Sequence, residues 1–130
     1  MFPSTMDLLE LLKHPEGKTL EFKRQLSSPD GLLETLVAFA NTAGGTFLLG
    51  VEDRTGHVRG IAEPLDTEER LSSLITDRIS PRLVPEIEIL PWRRTQVLAV
   101  QVHPSPLRPH YLTREGAERG VYEPLPMRDE

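Results

Sequence analysis

The chain has 130 residues, which suits one domain with one core; 38% of them are hydrophobic and only 5% aromatic, so that core should be mostly aliphatic. Cysteine is absent, which excludes disulfides and thiolate metal sites and fits a cytoplasmic protein; no apolar run is long enough to span a membrane and no signal-peptide pattern opens the chain. Fifteen Lys and Arg against 20 Asp and Glu leave a net charge of −5, so bulk charge does not favour nucleic acid, and any such binding must come from a local patch or from metal bridging carboxylates to phosphate.

In chain order, Ser4 or Thr5 caps a short helix over Met6 to Lys13, ended by His14-Pro15. Thr19 to Arg24 alternates, with Leu20 and Phe22 on one face and Thr19, Glu21 and Lys23 on the other, as in a strand packed on one side. After a loop, Asp30 caps a helix over Gly31 to Thr42, whose Leu32, Leu33, Leu36, Val37, Phe39 and Ala40 follow helical spacing. Gly44-Gly45 stops it and leads into an apolar central strand, Thr46 to Glu52. "DRTG", Asp53 to Gly56, signals a hairpin into a short strand from His57 to Ile61. Asp66 or Thr67 caps a third helix with a buried stripe of Leu71, Leu74, Ile75 and Ile79, stopped by Ser80-Pro81. Glu86 to Trp92 and Gln96 to His103 form an antiparallel pair around Arg93-Arg94-Thr95, and short strands are expected at His110 to Thr113 and Gly120 to Tyr122. This order predicts an α+β fold, a mixed β-sheet with helices packed on it.

Glu21 and Lys23 leave the same face of their strand. Alone, such a pair suits a solvated face with a weak ion pair. A carboxylate and a lysine so placed also recur in metal nucleases, where one holds a divalent ion and the other meets a water or a phosphate oxygen. Glu16 stands an odd number of residues from Glu21, so it can share an ion with Glu21 only if Gly17 bends the chain back. Asp53 sits where the central strand opens into a turn; it is either ordinary turn chemistry or a third carboxylate, and three of them would suit Mg²⁺ or Mn²⁺. "NTAGG" is not a phosphate loop, because the order is helix, glycines, strand and no GK[ST] follows. His14, His57, His103 and His110 lack metal-ligand spacing, and each reads as a solvated or loop residue.

Three separated motifs, "EGKTLEFKR", "AFANTAGG" and "GVED" with a later glycine, together resemble the Schlafen AlbA_2 domain, described as a DNA-binding domain of bacterial transcriptional regulators. "SPRLVPEIEIL", "QVLAVQV" and "RPHYL" resemble its second half, so the likeness covers about residues 10 to 122. It implies a nucleic-acid-binding domain or, alternatively, a metal-dependent endoribonuclease acting on tRNA or rRNA; a protein-interaction module is a further alternative that suits the acidic charge balance. For the nuclease it implies that Glu16, Glu21 and Asp53 hold Mg²⁺ or Mn²⁺, with Lys23 beside them as a further catalytic residue. Lys18, Lys23, Arg24, Arg54 and Arg59 are the candidate phosphate contacts. Partners expected are RNA or DNA and a second copy of the chain, with no membrane. Relatives often continue into an Arg-x-Gly-Ser-Ser-Thr-like segment, whereas this sequence ends "GVYEPLPMRDE"; residues 1–130 are therefore read as one domain, standing alone or cut from a longer regulator.

Overall fold

The computed structural model describes residues 8–116. A four-stranded mixed sheet is sandwiched between two layers: β1 (Leu20–Lys23) runs parallel to β2 (Gly45–Leu49), and β5 (Thr95–Val102) and β4 (Glu86–Trp92) continue antiparallel, in the order β1-β2-β5-β4. The α+β expectation is met. Helix α2 (Pro29–Asn41) is the crossover between the parallel strands, and α3 (Pro64–Arg78) packs beside it. A two-residue pair, β3 (Ile79–Ser80) with β6 (Tyr111–Leu112), ties the end of α3 to the late segment of the chain.

Period-two alternation divides the core between the two layers. Phe47 and Leu49 of β2 and Leu98, Val100 and Val102 of β5 meet Leu33, Leu36 and Val37 of α2 and Leu71 and Ile75 of α3. Their neighbours Leu48, Val97 and Ala99 point the other way, joining Leu20, Phe22 and Leu8. Leu8 belongs to a short helix, α1 (Leu8–Leu11). Of the helix expected over Met6 to Lys13, Leu8–Leu11 is helical among the described residues; Met6, the Ser4 or Thr5 cap and the strand at Gly120 to Tyr122 lie outside them.

Several expected boundaries move, for local reasons. Helix α2 begins at Pro29 with Ser28 in the cap position, because proline's fixed φ suits the first helical residue. Asp30, expected as the cap, lies in the first turn and receives Arg78 at 3.5 Å and Arg114 at 3.1 Å. Helix α3 likewise starts at Pro64, ahead of the expected Asp66 or Thr67 cap. Ile79, expected on that helix, is buried in β3 instead. The strand expected through Glu52 ends at Leu49, because Gly50 turns at φ 106° in the left-handed region. A Cβ there would press on Val97 and Ile61, so this bend depends on glycine. Gly50 accepts from the amides of both Arg59 and Gly60, so residues 57–61 form a coiled return with a single bridge, Val51 to Val58, and not the expected strand. Gly44 at φ 83° does stop α2 as expected, its amide reaching back to Phe39 O at 2.9 Å.

Candidate nucleic-acid and metal-binding site

The site grows out of the free edge of β1. In a parallel pair, alternate residues turn their backbone groups toward the partner strand. Thr19 O accepts from the Thr46 amide and Lys23 O from the Gly50 amide, which leaves the backbone of Leu20 and Phe22 facing the open edge. Two groups close that edge. The Gly17 amide donates to Leu20 O at 2.9 Å, and Glu16 Oε2 accepts from the Phe22 amide at 2.8 Å. A tight turn over Lys18 and Thr19 therefore folds Glu16 back along β1, outside the regular strand. The reversal was expected, but its assignment to Gly17 is corrected: Gly17 is not among the positive-φ glycines, and a Cβ on it would meet nothing within 4 Å.

Glu21 and Lys23 leave the face opposite Leu20 and Phe22 and are half-buried. Lys23 Nζ lies 3.9 Å from where a Gly31 Cβ would stand, so the ammonium sits over the first turn of α2. Because β1 and β2 are parallel, Lys23 and the exit of β2 toward Asp53 share one end of the sheet. Burial lifts the Glu16 carboxyl above its ordinary 4.5; the Phe22 amide opposes that lift, Asp53 adds to it by repulsion, and Lys23 opposes it. Glu21 is raised as well, first by burial, then by repulsion from Glu16, with Lys23 lowering it and Asp53 raising it. Glu16, Glu21, Lys23 and Asp53 thus share one electrostatic neighbourhood.

All three carboxylates offer the oxygen donors that hard divalent ions take, and their mutual repulsion is what a cation relieves, so the donor chemistry fits Mg²⁺ or Mn²⁺. The side chains are not drawn into a finished ligand set: among the described residues, no group of three or more His, Asp or Glu is arranged to hold an ion. One oxygen of Glu16 is also engaged by Phe22.

The candidate phosphate contacts separate into three kinds. Lys23, Arg24 and Arg54 lie near the carboxyl ends of β1 and β2, and among the described residues none has an ion-pair partner. Lys18 is in the turn at the opposite end of β1. Arg59 is held by Glu52 at 2.7 Å, while Thr55 Oγ1 donates to the other oxygen of Glu52 at 3.1 Å. The Arg59 hydrogen bond is the chief reason that the Glu52 carboxyl lies below its ordinary range. Opposite charges flanking the DRTG turn were the sequence signal for this pair, and the sequence reading passed over it. Arg24 and Arg59 also line a common cavity of about 420 Å³ beneath the start of α3.

His110 overturns its expected solvated role, with 0% exposure. Its Nδ1 lies 2.8 Å from Pro81 O, an acceptor only, so Nδ1 carries the proton and Nε2 accepts from the Ser105 hydroxyl at 2.6 Å. The His110 amide donates to Asn41 Oδ1 at 2.7 Å and its carbonyl accepts from Asn41 Nδ2 at 3.1 Å. The Asn of "AFANT" thereby clamps the end of α2 to "RPHYL". This polar knot is enclosed in the fold and serves its architecture.

The family model for Schlafen AlbA_2 matches residues 16–123. Among solved structures, the N-terminal domain of a RecG-related protein from Nitrosomonas europaea is similar at 25% identity and a TM-score of 0.74, over 97% of this chain and 93% of that one. The DIP2311 protein from Corynebacterium diphtheriae shares the fold at 22% identity and a TM-score of 0.57, over 82% of this chain and 23% of that chain.

Proposed function

This chain belongs to the Schlafen AlbA_2 family, and we propose that it is a nucleic-acid-binding domain, of a kind used in transcriptional regulation, that grips phosphate at the carboxyl end of β1 and β2. The observation that carries this reading is the grouping of Lys23, Arg24 and Arg54 there without ion-pair partners, in a chain whose net charge is −5. Arg24 and Arg54 keep their full charge for an incoming anion, while Lys23 shares its surroundings with Glu16, Glu21 and Asp53, and phosphate binding releases the counterions of the nucleic acid. Lys23 over the first turn of α2 adds its charge to the positive end of the helix, which also favours a phosphate there. The RecG-related neighbour is named for an ATP-dependent DNA helicase, which agrees with a partner of this class.

A second reading, metal-dependent cleavage of the bound phosphodiester, is favoured by the raised carboxyls of Glu16 and Glu21. Glu16, Glu21 and Asp53 would hold Mg²⁺ or Mn²⁺, which when bound supplies Lewis-acid stabilisation of the charge developing on phosphate. Lys23 would neutralise a non-bridging oxygen, and Arg24 and Arg54 would fix the strand on either side. Because one such face makes one wall, a second copy of the chain would complete a groove.

Fluorescence anisotropy with tRNA, single-stranded DNA and duplex DNA, each with Mn²⁺ or with EDTA, tests both readings. Binding in EDTA, weakened about equally on all three by Lys23→Ala with Arg24→Ala, supports the binding domain. Mn²⁺-dependent shortening of the nucleic acid that Glu21→Gln abolishes supports the nuclease. No binding at low salt would favour a protein-interaction module.

A further inference from the structure

The β4–β5 hairpin closes through Arg93 and Arg94, between the paired residues Trp92 and Thr95. β5 runs antiparallel to β2, with Leu98 opposite Leu49 and Val102 opposite Gly45. The tip therefore projects at the end of the sheet where Lys23 ends β1 and β2 opens toward Asp53. With strands about 4.8 Å apart, it lies about 10–15 Å across the sheet from β1. The proposed phosphate contacts and this tip thus border one end of the molecule.

Arg93 takes φ 53°, a left-handed conformation that hairpin turns ordinarily fill with Gly, Asn or Asp. Its guanidinium lies over the Trp92 ring, 5.3 Å from the centroid, and Trp92 is itself packed against the core layer of Leu8 and Phe22. That stacking braces the arginine while leaving its charge intact. Both arginines are exposed, and among the described residues neither has an ion-pair partner. Glu63 and Asp66 line a separate cleft with Gln96 and Ile89 and form no ion pair with either arginine.

We infer that the Arg93–Arg94 tip is a second phosphate-gripping arm, braced by Trp92, which holds a nucleic-acid strand crossing the sheet end from Lys23 and Arg24. The inference rests on the nucleic-acid reading above and adds residues that the family motifs did not single out. A backbone phosphate is the fitting occupant because two adjacent guanidiniums offer forked donors to its oxygens without regard to base sequence.

The test compares wild type with Arg93→Asn/Arg94→Gln, in which Asn tolerates the left-handed turn, and with Arg82→Gln, an exposed arginine preceding the far end of β4. Anisotropy of labelled oligothymidylate across a salt series gives the slope of log K against log salt. The tip variant should lower that slope by about 1.4, or 0.7 for each lost single-strand contact, while Arg82→Gln leaves it unchanged. Emission of Trp92, the only tryptophan, should also shift on adding unlabelled oligothymidylate to wild type. Far-ultraviolet circular dichroism checks that the variant folds. If Lys23→Ala/Arg24→Ala lowers the slope and the tip variant does not, the arm is refuted and the binding reading stands. If wild type binds nothing at low salt, both fail.

Discussion

Replacing Glu16 separates its work as an edge cap from its membership of the carboxylate cluster. In Glu16→Ala the Phe22 amide loses the acceptor that stands 2.8 Å away at the open edge of β1. A hydrogen bond to a charged group contributes about 1.5–3 kcal/mol. The same carboxylate is held above its ordinary titration range by burial and by Asp53, so its ionised form carries an opposing cost at neutral pH. The net loss should be about 1–2 kcal/mol, which for a domain of this size lowers Tm by about 4–8 °C. Glu16→Gln keeps an oxygen to accept from Phe22 and removes the repelling charge, so its Tm should stay within about 2 °C of wild type or exceed it. Thermal melting followed by circular dichroism gives the Tm values, and amide hydrogen exchange at Phe22 reports the bond itself. Protection at Phe22 should fall in the Ala variant and persist in the Gln variant. Equal losses in both, or unchanged Phe22 protection in the Ala variant, would refute the edge-cap argument.

Leu36, with 0% exposure between α2 and the sheet, should cost about 2–5 kcal/mol on truncation to Ala, measured by urea denaturation. Ser105→Ala removes the donor to His110 Nε2 and leaves a buried acceptor unsatisfied, so the same measurement should show a loss of about 1–3 kcal/mol. The pH dependence has a defined sign: Glu16 and Glu21 titrate above 4.5 in the fold, so the native state binds more protons than the unfolded chain between the two values. Stability from this pair is fully present below the unfolded value and is lost as pH rises through the folded one. Glu21→Gln should therefore gain stability relative to wild type as pH rises from about 4 to about 7 in paired denaturation curves; a constant difference would contradict the raised carboxyls.

The apolar periodicity was legible where it had room to repeat. Leu32 to Ala40 declared the α2 face, and the alternation of β1 declared that Leu20 and Phe22 share one face, whereas the apolar run Val97 to Val100 of β5 is buried on both faces and does not itself say which side chain enters which layer. Proline signalled the helix starts at Pro29 and Pro64, yet Asp30 and Asp66 drew the reading because acidic caps share the same short window. The region after Gly50 was harder. Its hairpin signal was real as a turn, but both backbone amides of Arg59 and Gly60 go to a single carbonyl, a pairing that no residue pattern announces. Glu16 was expected beside Glu21; its bond to Phe22 arises from which side of β1 lacks a partner, and that depends on the parallel pairing with β2. His110 was missed because its burial rests on contacts 29 and 69 residues away, to Pro81 and Asn41.

The salt dependence of binding to tRNA and duplex DNA by the unmodified protein tests the central claim most directly. If Lys23, Arg24 and Arg54 each neutralise a duplex phosphate, log K should fall linearly with log salt at a slope of about −2.7 or steeper, and Lys23→Ala/Arg24→Ala should make it shallower by about 1.8. A slope near zero, or no association with either nucleic acid at low salt, would contradict the account.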